Sequence, residues 1–427
     1  MSDAPGTVLI LGADGFIGRH IAFGLRDRGW QVVASARRVK RLAAMGFETL
    51  QADLAAPEGW DAERWRPRLT GITHIVNAAG LLSGSDTAFE AVHLTTPKAI
   101  YAALPAGARG VLISAVGIDA ADTPFARYRR EGEALAAEHG LTILRPGLVL
   151  GDTSYGGSSL ARALAALPLV TPVVGRGQQR FNPIHAGDLT AAIDHLLRAP
   201  PPPGPHEIGG PEEVTLAEML RGLRRWLGLP KRPLLKLPVA VARGLGRLGD
   251  AMRLGPISRT AVTQLETSVL ARTSPALDAL PEPPRGFSAF LMARPAGTQD
   301  LWQARLYLWR PGLRLVLAVL WLASGLIGLT LPAGDFLPLV AGTGLSDTAL
   351  TWLARLGGLA DLAIAAALLR GWRVRLMAGV QAAMVLTYTA AFTVLAPALW
   401  LLPLGGLVKN LPILALIAIH AILEDER

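Results

Sequence analysis

A chain of 427 residues is long enough for two or three domains with full-sized cores. It has no cysteine, which excludes disulfides, thiolate nucleophiles and cysteine-ligated zinc or iron–sulfur centres. Its formal charge of +9 suits an anionic contact, and the apolar excess behind its 51% hydrophobic content is concentrated after Trp309.

The first element is the apolar run Thr7-Val8-Leu9-Ile10-Leu11, a buried strand that begins within ten residues of Met1 and leaves no room for a signal peptide. It runs into Gly12-Ala13-Asp14-Gly15-Phe16-Ile17-Gly18 and then a helical stretch to Arg28. Strand, glycine turn and helix in that order predict a dinucleotide site. The first glycine permits the tight turn, the second admits a pyrophosphate to the backbone, and the third lets the helix pack on the sheet. The helix N-terminus offers unpaired N–H groups and a positive dipole end to the phosphates. Gly12, Asp14, Gly15, Phe16, Ile17 and Gly18 are therefore expected to hold the cofactor.

Further strands are read at Gln31–Ser35, Glu48–Gln51, His74–Asn77, Gly110–Ser114 and Thr142–Arg145, with helices between them, including Phe125–His139. This alternation predicts an α/β fold, a Rossmann-type doubly wound parallel sheet. A carboxylate at the end of the second strand would bind the ribose 2′-hydroxyl of NAD and repel a 2′-phosphate. The chain has Ser35-Ala36-Arg37-Arg38 there, and Arg19 can reach the same region, so NADP(H) is favoured over NAD(H). Asp53, after the third strand, is placed to contact an adenine ring. Asn77-Ala78-Ala79-Gly80 lines the cofactor after the fourth.

Residues 147–300 read as a smaller, less regular substrate lobe. It holds the surface connector Pro200–Pro203, a short strand near Glu207-Ile208 and a helix from about Leu216 to Leu227. His185 in this lobe reads as a packed, hydrogen-bonded histidine. No His/Asp/Glu spacing suggests a metal. Between Arg221 and Arg259 stand ten Lys/Arg against one acid, Asp250, with Leu235, Leu237, Val241, Leu245 and Leu248 on apolar stripes. The segment is expected to lie on anionic membrane lipid rather than on nucleic acid.

From Arg314 the next charge is Asp335, and the 20 residues between them match the hydrocarbon thickness of a bilayer. Spans are placed near 313–331, 350–369, 375–396 and 405–423, an all-α four-helix transmembrane domain at 301–427 following a nucleotide domain at 1–300 with its core at 5–230. Arg305, Arg310 and Arg314 precede the first span, and Arg370, Arg373 and Arg375 join the second to the third, while the other two loops lack Lys and Arg. The bias puts both termini and the nucleotide domain in the cytoplasm, at the inner membrane. Trp302, Trp309, Trp321 and Trp400 mark membrane interfaces or helix packing. Asp361 falls near the midplane, where an ionisable group faces the bundle and needs a partner. Arg355 and Lys409 are the cations available for an ion pair, and a proton or ligand site is the alternative.

The glycine turn, Asp53, Asn77–Gly80, Arg145-Pro146-Gly147, Asn182–Asp188 and Gly209-Gly210-Pro211 together resemble the short-chain dehydrogenase/reductase superfamily in its extended or atypical branch. The resemblance covers about residues 5–230, and the NADPH-binding accessory subunit of respiratory complex I is a similar atypical member. Trp302–Tyr307 and Lys409–Pro412 resemble the DoxX-like membrane family. The superfamily implies a tyrosine with a lysine four residues later on one helix. The matching segment here is Phe125-Ala126-Arg127-Tyr128-Arg129-Arg130-Glu131-Gly132-Glu133, so Phe125 holds the tyrosine position and Arg129 the lysine position. Phenylalanine transfers no proton, whereas arginine still holds ribose or phosphate. The catalytic candidates are Tyr128, about 60° round the helix, Ser114, two positions earlier than the superfamily's serine, and Arg129. Two functions follow: an NAD(P)H-dependent reductase of a lipid-soluble substrate such as a quinone or isoprenoid, or a non-catalytic NADPH-binding subunit that supports or senses for a membrane-protein partner.

Overall fold

The computed structural model describes residues 5–81, 84–121, 123–252, 257, 259–278, 280–340 and 343–425. They form two compact units. The first comprises Met1–Val239 and Thr263–Leu301, and the second Ala240–Val262 and Trp302–Arg427.

The strands of the first unit are β1 (Thr7–Leu11), β2 (Gln31–Ala36), β3 (Glu48–Gln51), β4 (His74–Asn77), β5 (Arg109–Ile113), β6 (Thr142–Pro146), β7 (Val149–Leu150), β8 (Thr171–Val174), β9 (Arg180–Phe181), β10 (Ile184–His185), β11 (Pro205–Ile208), β12 (Val214–Thr215) and β13 (Leu234–Leu237). Seven of them make one parallel sheet in the order β11-β6-β5-β4-β1-β2-β3. Its central strand is apolar on both sides. Val8 and Ile10 enter one core with Ile21, Leu25 and Leu196, while Leu9 and Leu11 enter the other with Ile75, Ile100 and Leu112. A strand buried on both faces needs the continuous apolar run seen in the sequence. The order of the sheet turns back between β1 and β4, which opens a crevice at their carboxyl ends.

Two local expectations change. The strand near Glu207-Ile208 is no separate element of the lobe. It is β11, which extends the main sheet by pairing with β6. The basic segment 221–259 is not one outward surface. Arg224 is buried and donates to the carbonyls of Pro230, Ala165 and Leu167, closing the end of its own helix, Leu216–Trp226. Leu235 and Leu237 lie in β13, which pairs with β8. The remainder is the helix Val239–Ala251, most of which belongs to the second unit. Ala242, Gly246 and Gly249 form its buried face, and Val241, Leu245 and Leu248 are exposed.

The second unit contains four stretches long and apolar enough to cross a membrane: Trp309–Thr330, Asp347–Leu369, Val374–Leu395 and Gly405–Leu423. The first two touch through glycines. A Cβ on Gly328 would stand 3.0 Å from the Gly358 Cα, and one on Gly358 would stand 2.8 Å from the Gly325 carbonyl. Small residues at a helix contact let backbones approach closely, which substitutes for the hydrophobic drive that lipid removes. Polar side chains inside the bundle pair with one another. The Trp321 indole donates to Gln381 at 2.9 Å, and Ser324 donates to Asp361 at 2.6 Å. The ion pair expected for Asp361 is thus replaced by a hydroxyl contact. The Arg355 guanidinium binds the carbonyls of Gly328 and Leu331 instead.

Candidate functional site

The glycine turn forms because two of its glycines leave no space for a side chain. Gly12 has φ +76°, and a Cβ there would meet the Ala79 backbone at 2.9 Å. A Cβ on Gly18 would meet the Gly12 carbonyl oxygen at 2.2 Å, so only glycine lets the helix sit this close to the turn. Gly15 differs. It caps the helix Phe16–Asp27 with no side-chain hydrogen bond, and beyond the Gly12 carbonyl at 3.2 Å its Cβ would face open space. The first turn carries no acid. Open backbone N–H groups, a positive dipole end and a cradle that one methyl group would narrow are what a pyrophosphate requires. Asp14 is exposed on the turn, and Phe16 and Ile17 are half-buried where the helix starts.

Arg37 and Arg38 are both exposed immediately beyond β2, on the edge where a nucleotide ribose lies in this topology. Asp53 is exposed after β3. One of its oxygens accepts from the Ala55 N–H at 3.0 Å, which fixes the carboxylate and leaves the other oxygen uncommitted. Asn77 is not free to bind a ligand with its side chain. Its Oδ1 accepts from the Ala79 N–H at 3.1 Å and its Nδ2 donates to the Tyr101 hydroxyl at 2.7 Å. It shapes the Ala78-Ala79-Gly80 backbone. Tyr101 was not singled out by sequence. Burial pushes its phenol up to about 12, so it stays protonated.

The helix Pro124–Glu138 begins at Thr123, whose hydroxyl accepts from the Ala126 N–H. It presents Phe125 and Arg129 one turn apart, with the guanidinium carbon 5.5 Å from the ring centroid. Arg129 is buried against Gly80, where a Cβ would touch its Nη2 at 2.3 Å, and its Nε has no partner among the described residues. Burial pulls its pKa down to about 10, which leaves it charged at neutral pH. Ser114, just after β5, is also buried with its hydroxyl unpartnered, while its N–H donates to the Leu144 carbonyl. Tyr128 turns to another neighbour. Its ring stacks on Phe89 at 5.7 Å with planes 2° apart, and Arg127 covers it at 4.7 Å. Phe89 also stacks on His93, which lies in a π-helical turn, Ala91–Thr95, and meets the edge of Phe125. Burial first and Arg129 second push His93 down to about 3, so it is neutral and its Nε2 accepts from the Leu81 N–H.

Arg145 lies in β6, just before Gly147. It binds Glu133 at 2.5 Å and Asp119 at 2.6 Å, which raises its pKa, the Glu133 hydrogen bond contributing most. The pair ties the helix Pro124–Glu138 to the sheet behind Gly147. Glu133 and Asp119 stand 12 and 26 residues before Arg145, and nothing in their spacing announces the contact.

In the lobe, His185 is held as a packed group. The Gly187 N–H and Arg285 Nη2 both donate to its Nδ1 at 3.1 Å, so the proton sits on Nε2, 3.7 Å from Asp152. Burial lowers its pKa. His20 on the glycine-turn helix donates from Nδ1 to the Phe16 carbonyl and presents Nε2 to Thr153.

Residues 8–100 match the NAD-dependent epimerase/dehydratase family and residues 318–418 the DoxX-like family. The chain is 30% identical over 261 residues to the ceramide reductase of Caulobacter vibrioides, an alignment covering 58% of this chain and 79% of that protein. Among solved structures it is similar to the UDP-glucuronic acid 4-epimerase of Bacillus cereus, in complex with UDP-glucuronic acid and NAD (17% identity, 70% and 99% of the two chains, TM-score 0.50). It is also similar to the ADP-L-glycero-D-manno-heptose-6-epimerase of Helicobacter pylori (15% identity, 69% and 96%, TM-score 0.51). At these identities the structural likenesses concern the fold.

Proposed function

From the premise that the chain belongs to the short-chain dehydrogenase/reductase superfamily, with an epimerase/dehydratase-type nucleotide domain joined to a DoxX-like domain, we propose that it is an NADPH-dependent reductase of a long-chain lipid ketone of the ceramide class. The observation that carries this reading is its kinship with a ceramide reductase, in a chain whose glycine cradle is intact. A ceramide offers one simple target for hydride chemistry, the secondary alcohol of its long-chain base, and reduction would form that alcohol from a ketone. This narrows the expected lipid-soluble substrate from a quinone or isoprenoid to a sphingoid-like lipid.

In the turn that Gly12 and Gly18 shape, the backbone at Gly15 would hold the pyrophosphate, Asp53 would meet the adenine, and Arg37 and Arg38 would take the 2′-phosphate that distinguishes NADPH. The bound cofactor supplies a hydride to the carbonyl carbon. Arg129, packed against Gly80, would hold the ribose. Its buried charge and the uncommitted Ser114 hydroxyl favour negative charge on the carbonyl oxygen. Phe125 supplies no proton, so the oxyanion takes its proton from another donor. Four helices on the same chain long and apolar enough to cross a membrane support work at a bilayer in which such a substrate dissolves. The Lys/Arg bias favours an inner membrane with both termini and the nucleotide unit in the cytoplasm. The exposed Val241, Leu245 and Leu248, beside Arg243 and Arg247 on one helix, favour contact with anionic lipid.

The test is NADPH oxidation by the full chain in phospholipid vesicles, with a 3-keto ceramide, a quinone and an enone offered in parallel. Oxidation with the keto lipid alone is expected. Binding of NADPH without oxidation of any acceptor would overturn catalysis. It would favour the second reading, an NADPH-binding subunit without turnover, which Phe125 at the tyrosine position supports.

A further inference from the structure

In the second unit, a cavity of about 280 Å³ opens where the C-terminal end of Trp309–Thr330 meets the following loop. Its wall includes Ile327 and Leu331, Phe336 and Leu339 from the loop, Ala354 from the second long helix and Phe392 from the third. All lining side chains are apolar. Protein interiors are close-packed, and an apolar cavity of about 150 Å³ already takes a benzene molecule. If the four helices span a bilayer, a larger cavity open to its hydrocarbon region would be filled by hydrocarbon.

A cation adjoins this wall without itself lining the cavity. Arg355 follows Ala354 and donates from Nη1 to the Gly328 carbonyl at 2.7 Å and from Nη2 to the Leu331 carbonyl at 2.8 Å, and both acceptor residues line the cavity. These bonds satisfy carbonyls left over at the helix end. They use two of the five guanidinium N–H groups. The others have no acceptor among the described residues. Arg355 is half-buried and lies on the second long helix about 12 Å from Asp347 at 1.5 Å per residue, toward the boundary end.

We propose that this cavity is a binding site for a single anionic glycerophospholipid, one acyl chain filling it and the phosphate held by Arg355. The site is separate from the nucleotide site and rests only on the reading of the four helices as membrane spans. An apolar slot alone would accept any hydrocarbon. The guanidinium adds a preference for a phosphate-bearing, negatively charged headgroup.

The full chain is reconstituted in vesicles of phosphatidylglycerol and phosphatidylcholine, extracted in mild detergent and weighed intact by native mass spectrometry. One retained phospholipid per chain is expected, with phosphatidylglycerol preferred about fivefold, the ratio one arginine near an anionic headgroup supplies. Ala354→Trp fills the slot and should abolish retention of either lipid. Leu339→Trp does the same from the exposed loop side, so the test survives if the first variant misfolds. Arg355→Gln should keep retention and lose the preference. Undiminished retention in a folded filled-slot variant overturns the cavity assignment, and an unchanged preference in Arg355→Gln overturns the headgroup assignment. Recovery of the wild-type chain in the aqueous phase without detergent would overturn the span reading itself.

Discussion

Two glycines in the same turn fail for different reasons when given a methyl group, and the difference separates structure from binding. At Gly18 the added carbon would sit 2.2 Å from a carbonyl oxygen of the chain itself. Gly18→Ala is expected to destabilise the fold by about 1–3 kcal/mol and to lose the cofactor with it. At Gly15 the same carbon meets only the Gly12 carbonyl, at 3.2 Å, so Gly15→Ala should melt near the wild-type temperature and still bind NADPH at least about tenfold more weakly, a loss of about 1.4 kcal/mol. Thermal melts with calorimetric titration distinguish the two, and a Gly15→Ala protein with wild-type affinity would remove the pyrophosphate from this turn. His93 makes a second prediction. Its folded pKa of about 3 lies below the ordinary 6.5 because of burial and Arg129. Below pH 6.5 the unfolded chain takes up a proton that the folded chain refuses. The contribution is complete above that pH and is lost as pH falls towards 3, at most about 2 kcal/mol of it between pH 7 and pH 5. His20, His74 and His185 are lowered too and act in the same direction. His93→Gln keeps an acceptor for the Leu81 N–H and removes the titration, so its denaturant-derived stability should fall less steeply with acid. An identical slope in the two proteins would refute the assignment.

Elements show how much of the site could be read from the chain alone. β1 and its glycine turn were legible because each glycine answers a local steric demand and the apolar run answers burial on both faces. The spacing of Phe125 and Arg129, one helical turn apart, was legible because it depends only on the helix that carries both. Long-range partners were not. Arg145 could be placed in its strand, but its pairing with Glu133 and Asp119 depends on how a helix packs on the sheet. The basic stretch 221–259 misled because a run of charge says nothing of which members turn inward, and Arg224 turns inward to close a helix end. Two predictions belong at this scale. Arg37 and Arg38 sit together at the exposed end of β2, so Arg37→Ala/Arg38→Ala should weaken NADPH by at least about tenfold, the loss of one or two charge-assisted hydrogen bonds, and leave NADH nearly unchanged. Calorimetry on both cofactors checks this, and equal affinity for the two in the wild type would end the claim. On the helix Pro124–Glu138, the Tyr128 ring is stacked parallel to Phe89 and contacted by the Arg127 guanidinium. A general acid contributes about 10²–10⁴-fold. A ring committed to that stack should contribute far less, so Tyr128→Phe is expected to keep turnover with the keto lipid within about tenfold of the wild type. A hundredfold loss of kcat with unchanged NADPH affinity would restore Tyr128 as the proton donor.

At the scale of the whole molecule, the proposed orientation in the bilayer rests on a few arginines. The loop between Asp347–Leu369 and Val374–Leu395 holds Arg370, Arg373 and Arg375, whereas residues 332–349 and 397–404 contain neither Lys nor Arg. Under the proposed orientation, with Lys and Arg retained on the cytoplasmic side, the first unit would face a cytoplasmic pool of nicotinamide cofactor. Reporter fusions after Gly344 should read outside and fusions after Gly371 inside. The reverse pattern would turn the chain over and take the nucleotide unit away from that pool. The bias can be reduced without disturbing the turn. Arg373 has φ +42°, a left-handed conformation that glycine adopts without strain, so Arg373→Gly keeps the turn and removes a charge. Arg375 is paired with Asp425, and Arg375→Gln retains a hydrogen-bond donor for it. Combined with Arg370→Gln, these changes leave Arg305, Arg310 and Arg314 before the first span as the remaining inward signal. Fusions after Gly344 in the triple variant should then report a mixture of outside and inside. A purely outside report would mean that the first span sets the topology without help from the second loop, which is the usual order of influence in a multispan chain.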